Sequence, residues 1–245
     1  MNKFDSQLYL PHLSIDCVIF GYRDAQLKVL VSKFKIGKAL WGLPGGYILK
    51  TESIDAAAKR ILKACTALDH IYLEQFRVFG DEKRITGSKH KASVIAGLQK
   101  LDSVAFDAAA TDWITSRFVG IGYYALVDIN KVSPAPGLLE ERLEWRSITD
   151  LPTLTHDHNE IVACALEALR QNLDRKLIGF NLLPETFTMR EVQELYEAVY
   201  DKAFARNNFQ KKILDLQVLE RLEKKFTGAA NKAPYLYRFK KGLTP

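Results

Sequence analysis

The chain has 245 residues, of which 47% are hydrophobic and 26% charged, and its net charge is +6. The length fits one or two domains, and the composition is typical of a globular protein rather than a disordered or fibrous one. No apolar run approaches the roughly 20 residues of a membrane-spanning helix, and the start of the chain lacks a secretory signal pattern. Three widely spaced cysteines predict neither a zinc site nor a disulfide framework. We therefore expect a cytoplasmic protein without a membrane segment, metal or cofactor.

The first two thirds of the chain predict a mixed α/β domain. Segments rich in β-branched and aromatic residues predict strands at 13–20, 27–34, 73–78 and 120–127. The residues between the first two strands predict a hairpin.

Two helices accompany these strands. Ser53 can cap a helix that continues to about residue 67, in which Ile54, Ala57, Ala58, Ile61, Leu62 and Cys65 recur at helical spacing. Asp157 or Asn159 can cap a second helix that ends near residue 172. Between the last two strands, residues 82–116 form a long connection with one predicted helix at 91–101, and such connections are usually functional or mobile. We assign residues 1–175 to this domain.

The last 70 residues have a different character. Thr188 and Glu191 fit a capping box, which predicts a helix start, and Val192, Leu195, Tyr196 and Val199 give that helix an apolar face. A second helix is predicted at 206–216, with Phe209, Ile213 and Leu214 facing inward. Strands are predicted at 218–226 and 234–239. Two helices followed by a β-hairpin are the plan of a winged helix-turn-helix, which we assign to residues 176–245.

Charge is concentrated in this C-terminal part. Residues 201–245 carry eleven cations and four anions, a net charge of +7, so the rest of the chain is close to neutral. A basic segment on a near-neutral body suggests a polyanionic partner, although a merely solvated cationic surface explains the charge equally well.

One motif in the first domain is recognisable. The segment 41–46 reads WGLPGG, and Glu52, Arg60, Leu62 and Leu68 follow it at fixed spacing. This pattern resembles the Nudix hydrolase box, G-x5-E-x7-R-E-U-x-E-E-x-G-U, with its first glycine at Gly46. The resemblance covers roughly residues 8–172 and implies a Nudix-like fold, an α/β/α sandwich around a mixed sheet.

The departures from this box decide the expected chemistry. The box has acids at 61, 64 and 65, where this chain has Ile61, Ala64 and Cys65, and the box glycine is Ala67. Carboxylates at 61 and 65 would lie on one helix face and hold Mg²⁺ or Mn²⁺, which prefer oxygen ligands and activate water for pyrophosphate hydrolysis. We therefore expect no catalytic residues. The alternative is a Nudix hydrolase with rearranged metal ligands, taken from Glu74, Asp81 or Glu82, that acts on a nucleoside diphosphate derivative.

The surviving box residues have a structural interpretation. Gly45 and Gly46 can supply the backbone angles of a turn. We favour an ion pair between Glu52 and Arg60 that ties the loop to the helix.

The resemblance extends beyond the box. The Nudix-like domain is followed by three segments: FNLLP at 180–184, FTMREVQELYEA at 187–198 and RNNFQKK at 206–212. This order resembles that of the NrtR-like transcriptional regulators. Members of this family act as dimers on palindromic operators, and their Nudix-like domain senses ADP-ribose, a related NAD metabolite, a sugar or a sugar phosphate. The resemblance thus implies a DNA-binding regulator, in contrast to a hydrolase or a protein-binding scaffold.

These expectations identify candidate site residues. For the ligand we name Lys33, Phe34, Gly46, Arg60, Arg117 and Tyr123. The cationic side chains in this set could bind a phosphate, and the aromatic rings could stack on a base. Phe34 and Tyr123 could equally be core residues. For DNA we name Arg206, Asn207, Asn208, Gln210, Lys211, Lys212 and Lys232, whose side chains suit bases or phosphates. A winged helix that contacts protein instead is the alternative.

Overall fold

The computed structural model describes residues 4–36, 40–84, 88–173, 176, 178–225 and 233–240. Its strands are β1 (Tyr9–Arg23), β2 (Gln26–Phe34), β3 (Trp41–Gly42), β4 (Gly45–Leu49), β5 (Tyr72–Phe79), β6 (Val119–Val127), β7 (Glu140–Ser147), β8 (Phe187–Thr188), β9 (Leu219–Lys224) and β10 (Tyr235–Phe239). Its helices are α1 (Ile54–Thr66), α2 (Ser88–Leu101), α3 (Ala108–Ile114), α4 (His158–Leu173), α5 (Met189–Tyr200) and α6 (Arg206–Asp215).

The first seven strands form one mixed sheet with β1 at its centre. The strand order is β3-β2-β1-β6-β5, with β4 paired to β1 and β7 to β2. β1 runs parallel to β6 and antiparallel to β2 and β4. The predicted hairpin is present but tighter than expected, because both of its turn residues, Asp24 and Ala25, have positive φ values of 55°. Two such residues form the turn type whose twist matches that of paired strands.

Helices cover both faces of this sheet, as the sequence predicted. Alternate side chains of β1 point to opposite faces, so Ile15, Cys17 and Ile19 pack against α1, while Val18 and Phe20 pack on the side of α4. The hydroxyl of Ser53 accepts a hydrogen bond from the Ala56 amide and caps α1. The α/β/α sandwich and the helix after the box are therefore confirmed.

The long connection contains more structure than the sequence predicted. A short 3-10 helix at Glu82–Arg84 is followed by α2 and α3, of which only α2 was expected. The Asp107 side chain caps α3 by accepting from the Ala110 amide. Leu98 and Phe106 join Ile36 in a small core of their own. The segment is thus a folded, helical part of the domain. Strand β7 was also missed; it extends the sheet beside β2.

The C-terminal part is a winged helix. The capping box of α5 is present in full, because Glu191 donates its amide to the Thr188 hydroxyl and accepts from the Thr188 amide. α6 follows, and β8, β10 and β9 form a three-stranded sheet. Phe209 and Ile213 are buried as predicted. The inward placement of Leu214 was wrong, since this residue is 40% exposed on the side of α6 away from the core.

One hydrophobic core runs through both parts. The cluster that contains Phe20 and Leu169 continues through Leu182 into Leu195 and Phe209 of the winged helix. None of the helices in the described part of the chain is long and apolar enough to cross a membrane.

Candidate functional site

A cavity of about 760 Å³ opens beside the box helix α1. Its floor comes from β1 and β4, and residues of the connection 82–116 and of the start of α4 complete its wall. Most of its lining is apolar, with aromatic side chains from Phe4, Tyr9, Phe34, Tyr47, Phe106 and Phe118. A partly apolar cavity of this size with a few polar groups is the usual form of a small-molecule site.

The predicted ion pair of the box is confirmed. Nη2 of Arg60 lies 2.6 Å from Oε1 of Glu52, and its Nε lies 2.9 Å from Oε2. The same guanidinium donates to the carbonyl of Tyr47, and Glu52 also accepts from the Leu49 amide. Arg60 holds the pKa of the Glu52 carboxyl below its usual value, opposed by partial desolvation. Glu52 therefore fixes the turn after β4 to α1.

The box helix does not fit a divalent metal ion. Ile61 is buried, and its side chain would lie 3.1 Å from a Cβ added to Gly46, so it fills the space beside the glycine. Burial raises the pKa of the Cys65 thiol to about 12, and the negative charge of Glu140 contributes to the same shift. The thiol therefore stays protonated. Both carboxylate oxygens of Glu52 already bind Arg60. Mg²⁺ prefers several oxygen ligands, and this arrangement offers it none of the three box acids on α1.

Replacement acids are not assembled either. The carboxylate of Glu74 accepts from the hydroxyls of Tyr72 and Tyr124 and pairs with Lys176, on the side of the sheet facing α4. Among the described residues, no group of three or more His, Cys, Asp or Glu side chains is placed to hold a metal ion.

The predicted ligand residues separate into two sets. Phe34, Gly46 and Arg60 line the cavity. Lys33 pairs with Glu141 on the outer side of β2 at 2.9 Å, and Arg117 donates to the Gly80 carbonyl. Tyr123 is 2% exposed and its hydroxyl donates to Asp55. The structure thus brings three of the six residues together and places the other three outside the cavity lining.

Sequence reasoning missed a polar cluster in the cavity wall. Asp16, Arg84 and His158 all line the cavity and are almost completely buried. A sequence signal existed for Asp16, the single charged residue within the buried run of β1. Arg84 and His158 gave no such signal, because they lie 68 and 142 positions away from Asp16 and meet it only in the folded chain.

The predicted DNA-binding residues are concentrated on α6. Asn207 and Lys211 lie one turn apart on its outer side, and Arg206, Asn208 and Lys212 are also exposed, whereas Gln210 is half-buried. Ala205 precedes the helix without a side-chain cap, so the first backbone amides of α6 keep their capacity to donate. Nζ of Lys212 lies 5.8 Å from the centre of the Tyr196 ring. Lys232, between β9 and β10, lies outside the described residues.

Comparisons with known proteins agree with both halves of this geometry. The profile of the NrtR DNA-binding winged helix domain matches residues 179–239. The chain is 25% identical over 237 residues to the ADPR responsive transcriptional repressor NtrR of Acinetobacter baylyi, covering 94% of this chain and 82% of that protein.

Solved structures extend the comparison. NrtR of Shewanella oneidensis, crystallised with a 27mer DNA, superposes with a TM-score of 0.67 at 26% identity, and 94% of each chain is covered. A MutT/nudix family protein from Enterococcus faecalis superposes with a TM-score of 0.66 over 98% of this chain and 89% of its own. At 18% identity this second likeness shows the fold alone. The chain is therefore similar to NrtR over nearly its whole length, with a degenerate Nudix-like domain followed by a part that matches the NrtR winged helix domain.

Proposed function

We propose that this protein is a DNA-binding transcriptional repressor whose Nudix-like domain binds a small effector without hydrolysing it. The effector is ADP-ribose, a related NAD metabolite, a sugar or a sugar phosphate. The observation that carries the proposal is that one hydrophobic core joins a Nudix-like cavity without the three box acids to a winged helix that presents Asn207 and Lys211 outward. The relative from Acinetobacter baylyi is named for the same combination of ADPR response and repression.

The two parts divide the work between residues 1–175 and 176–245. We place α6 in the major groove, where Arg206, Asn207, Asn208 and Gln210 face base edges and Lys211 and Lys212 contact phosphates. Lys232 is a further candidate for phosphate contact. We also propose that the protein acts in the cytoplasm as a homodimer on a palindromic operator, because a two-fold dimer matches two half-sites one helical turn apart.

DNA binding is tested with a double substitution on α6. Replacing Lys211 and Lys212 with Ala is expected to weaken binding to the DNA upstream of the protein's own gene. The slope of log K against log salt is expected to fall by about 2, since each lysine that contacts a phosphate contributes about 1. Lys50→Ala/Lys59→Ala removes the same charge from exposed positions of the Nudix-like domain and is the matched control. Equal effects of the two double variants would contradict the placement of α6.

The absence of hydrolysis is tested with ADP-ribose and Mg²⁺. We expect no release of AMP above the rate without protein, because α1 carries none of the three box acids and its one carboxylate, Asp55, accepts from the Tyr123 hydroxyl. Turnover that disappears in Glu52→Gln would instead support a hydrolase with rearranged ligands.

A thermal-shift series with ADP-ribose, NAD, pentoses and sugar phosphates then identifies the effector, since a ligand that binds only the folded state raises the melting midpoint.

A further inference from the structure

The polar cluster in the cavity wall is organised around one guanidinium. Nη2 of Arg84 lies 2.5 Å from Oδ2 of Asp16, and its Nε lies 2.8 Å from Oδ2 of Asp157. Nη1 of Arg84 also donates to the carbonyl of Phe118. Only 7% of the Arg84 side chain is exposed. Arg84 is therefore held by Asp157 and the Phe118 carbonyl, and from this fixed position it pairs with the Asp16 carboxylate at the cavity.

His158, the next member of the cluster, has a defined proton position. Its Nδ1 accepts a hydrogen bond of 2.9 Å from the Leu43 amide, so this nitrogen carries no proton. Burial lowers the pKa of His158, and the positive charge of Arg84 lowers it further. The negative charges of Asp16 and Asp157 raise this pKa but do not cancel the effect of burial. The ring is neutral, and its single proton is on Nε2.

A gap separates this donor from the Asp16 carboxylate. Nε2 of His158 lies 3.6 Å from Oδ1 of Asp16, which is too long for a hydrogen bond. Both residues line the cavity. A donor and an acceptor held just beyond direct contact are commonly bridged by a third group. A hydroxyl fits both, because its oxygen accepts from Nε2 while its proton is donated to Oδ1.

The charge of the cluster selects among possible groups. Asp16 and Asp157 carry two negative charges and Arg84 one positive charge, so with neutral His158 the cluster is net negative. A phosphate at this position would meet a like charge in a poorly solvated site, which is costly. An uncharged hydroxyl meets no such penalty. The neighbouring apolar wall suits the carbon skeleton that carries the hydroxyl.

We propose that Asp16 and His158 form a subsite for a hydroxyl group of a sugar ring, with Arg84 as the positioning residue. The proposal rests on the proposed function, because it assigns ligand chemistry to the effector cavity. The sugar is either free or the sugar part of a larger ligand such as ADP-ribose.

The test uses His158→Asn in the full-length protein. The Asn carbonyl can take the place of Nδ1 and accept from the Leu43 amide, whereas the donor at the position of Nε2 is lost. His70→Asn is the matched control, because His70 is exposed, lies outside the cavity lining and has a φ of 56°, which Asn tolerates. Calorimetric titrations use ribose, arabinose, xylose, glucose, ribose 5-phosphate, ADP-ribose and AMP, with inorganic phosphate as the probe for anion binding.

The expected result is a ligand from the sugar-bearing set whose affinity falls at least ten-fold in His158→Asn and is unchanged in His70→Asn. Among deoxy analogues of that ligand, one is expected to bind the wild type at least ten-fold more weakly and to lose nothing further in His158→Asn, which shows that the hydroxyl and the imidazole interact. Binding of a free sugar would show that the subsite takes a free sugar, whereas binding of ADP-ribose alone would show that it takes the sugar part of a larger ligand.

Three outcomes would overturn the subsite. These are wild-type affinity in His158→Asn, deoxy analogues that all bind as well as the parent ligand, and a wild type that binds only inorganic phosphate or no member of the series. Circular dichroism of each variant checks the fold, and if His158→Asn fails to fold, the deoxy series on the wild type decides alone. Failure of the subsite leaves ligand-sensitive operator binding intact, whereas failure of the proposed function appears as wild-type protein that does not bind the operator.

Discussion

At the scale of single residues, His158 gives stability a pH dependence. Its pKa is lowered in the folded protein chiefly by burial, whereas in the unfolded chain it returns to about 6.5. A group with a lowered folded pKa contributes stability that is complete above the unfolded value and decreases as the pH falls towards the folded value. We therefore expect the free energy of unfolding to decrease from pH 7 to pH 5, by at most about 1.4 kcal/mol per pH unit for this one proton.

Comparison with His158→Asn isolates that contribution from the other histidines. Urea denaturation at several pH values is expected to give a smaller slope for the variant than for the wild type. The imidazole faces the carboxylates of Asp16 and Asp157 and the guanidinium of Arg84, and all three groups are present in both proteins. Identical slopes for the two proteins would mean that His158 is not held neutral in the fold.

Residues of the box could be predicted from the sequence, and residues of the cavity wall only in part. Glu52 and Arg60 are separated by eight positions, and the turn between them is local, so their pairing followed from the motif. Arg84 reaches Asp16 across 68 positions, because the end of β5, after which the long connection begins, pairs with the start of β6, and β6 pairs with β1. Residue type alone favoured Lys33 as a ligand contact, but its position on β2 turns it towards Glu141.

At the scale of elements, the end of α1 carries a correctable strain. Ala67 has a φ of 60°, in the left-handed region where the Nudix box has glycine. Left-handed conformation costs a residue with a Cβ roughly 1–2 kcal/mol, and glycine adopts it freely. Ala67→Gly is therefore expected to raise the free energy of unfolding by about 1 kcal/mol in urea titrations. Ala56→Gly removes the same methyl group from an exposed, right-handed position in the same helix and should lower it.

The start of α5 depends on its capping box. Thr188→Ala removes the hydroxyl that accepts from the Glu191 amide and is expected to destabilise the protein by about 1 kcal/mol. Thr188→Ser retains the hydroxyl and should recover most of that loss. A variant with alanine that is as stable as the wild type would mean that the sheet of the wing, not the cap, fixes the start of this helix.

Helices were predicted better than strands at this scale. The capped helices α1 and α5 carry local signals at their first turns, so both began where the sequence indicated. β7 alternates little and is rich in charge, since its side chains pair along the sheet surface as in Arg142 with Glu144. Its place in the sheet is determined by β2, more than 100 positions earlier, and no local pattern records that.

At the scale of the whole molecule, the winged helix is joined to the Nudix-like domain through shared core packing. One buried cluster contains Leu169 of α4, Leu195 of α5, and Leu182 from the segment between these two helices. Across the same junction, Tyr200 donates its hydroxyl to the Arg170 carbonyl, and Arg170 donates to the carbonyl of Val199. Ligand binding in one part can influence the other only through differential stabilisation of two arrangements, and a shared core supplies the physical connection.

This connection predicts that the two parts unfold together. All three tryptophans, Trp41, Trp113 and Trp145, lie in the Nudix-like domain, so their fluorescence reports on that domain alone. Leu195→Ala in the winged helix removes a fully buried side chain and is expected to cost about 2–5 kcal/mol. In a cooperative molecule the tryptophan transition shifts by the same amount as the transition seen by circular dichroism.

The exposed Leu214 provides the control within the same domain, since Leu214→Ala is expected to change stability by less than about 0.5 kcal/mol. If Leu195→Ala shifts the circular dichroism but leaves the tryptophan transition in place, the winged helix unfolds independently. Its coupling to the effector cavity would then have to depend on the subunit interface of the proposed dimer rather than on the core within one chain. Coincident shifts would assign the coupling to the chain itself, because stabilising the cavity by ligand would then also stabilise α5 and, through it, the position of α6.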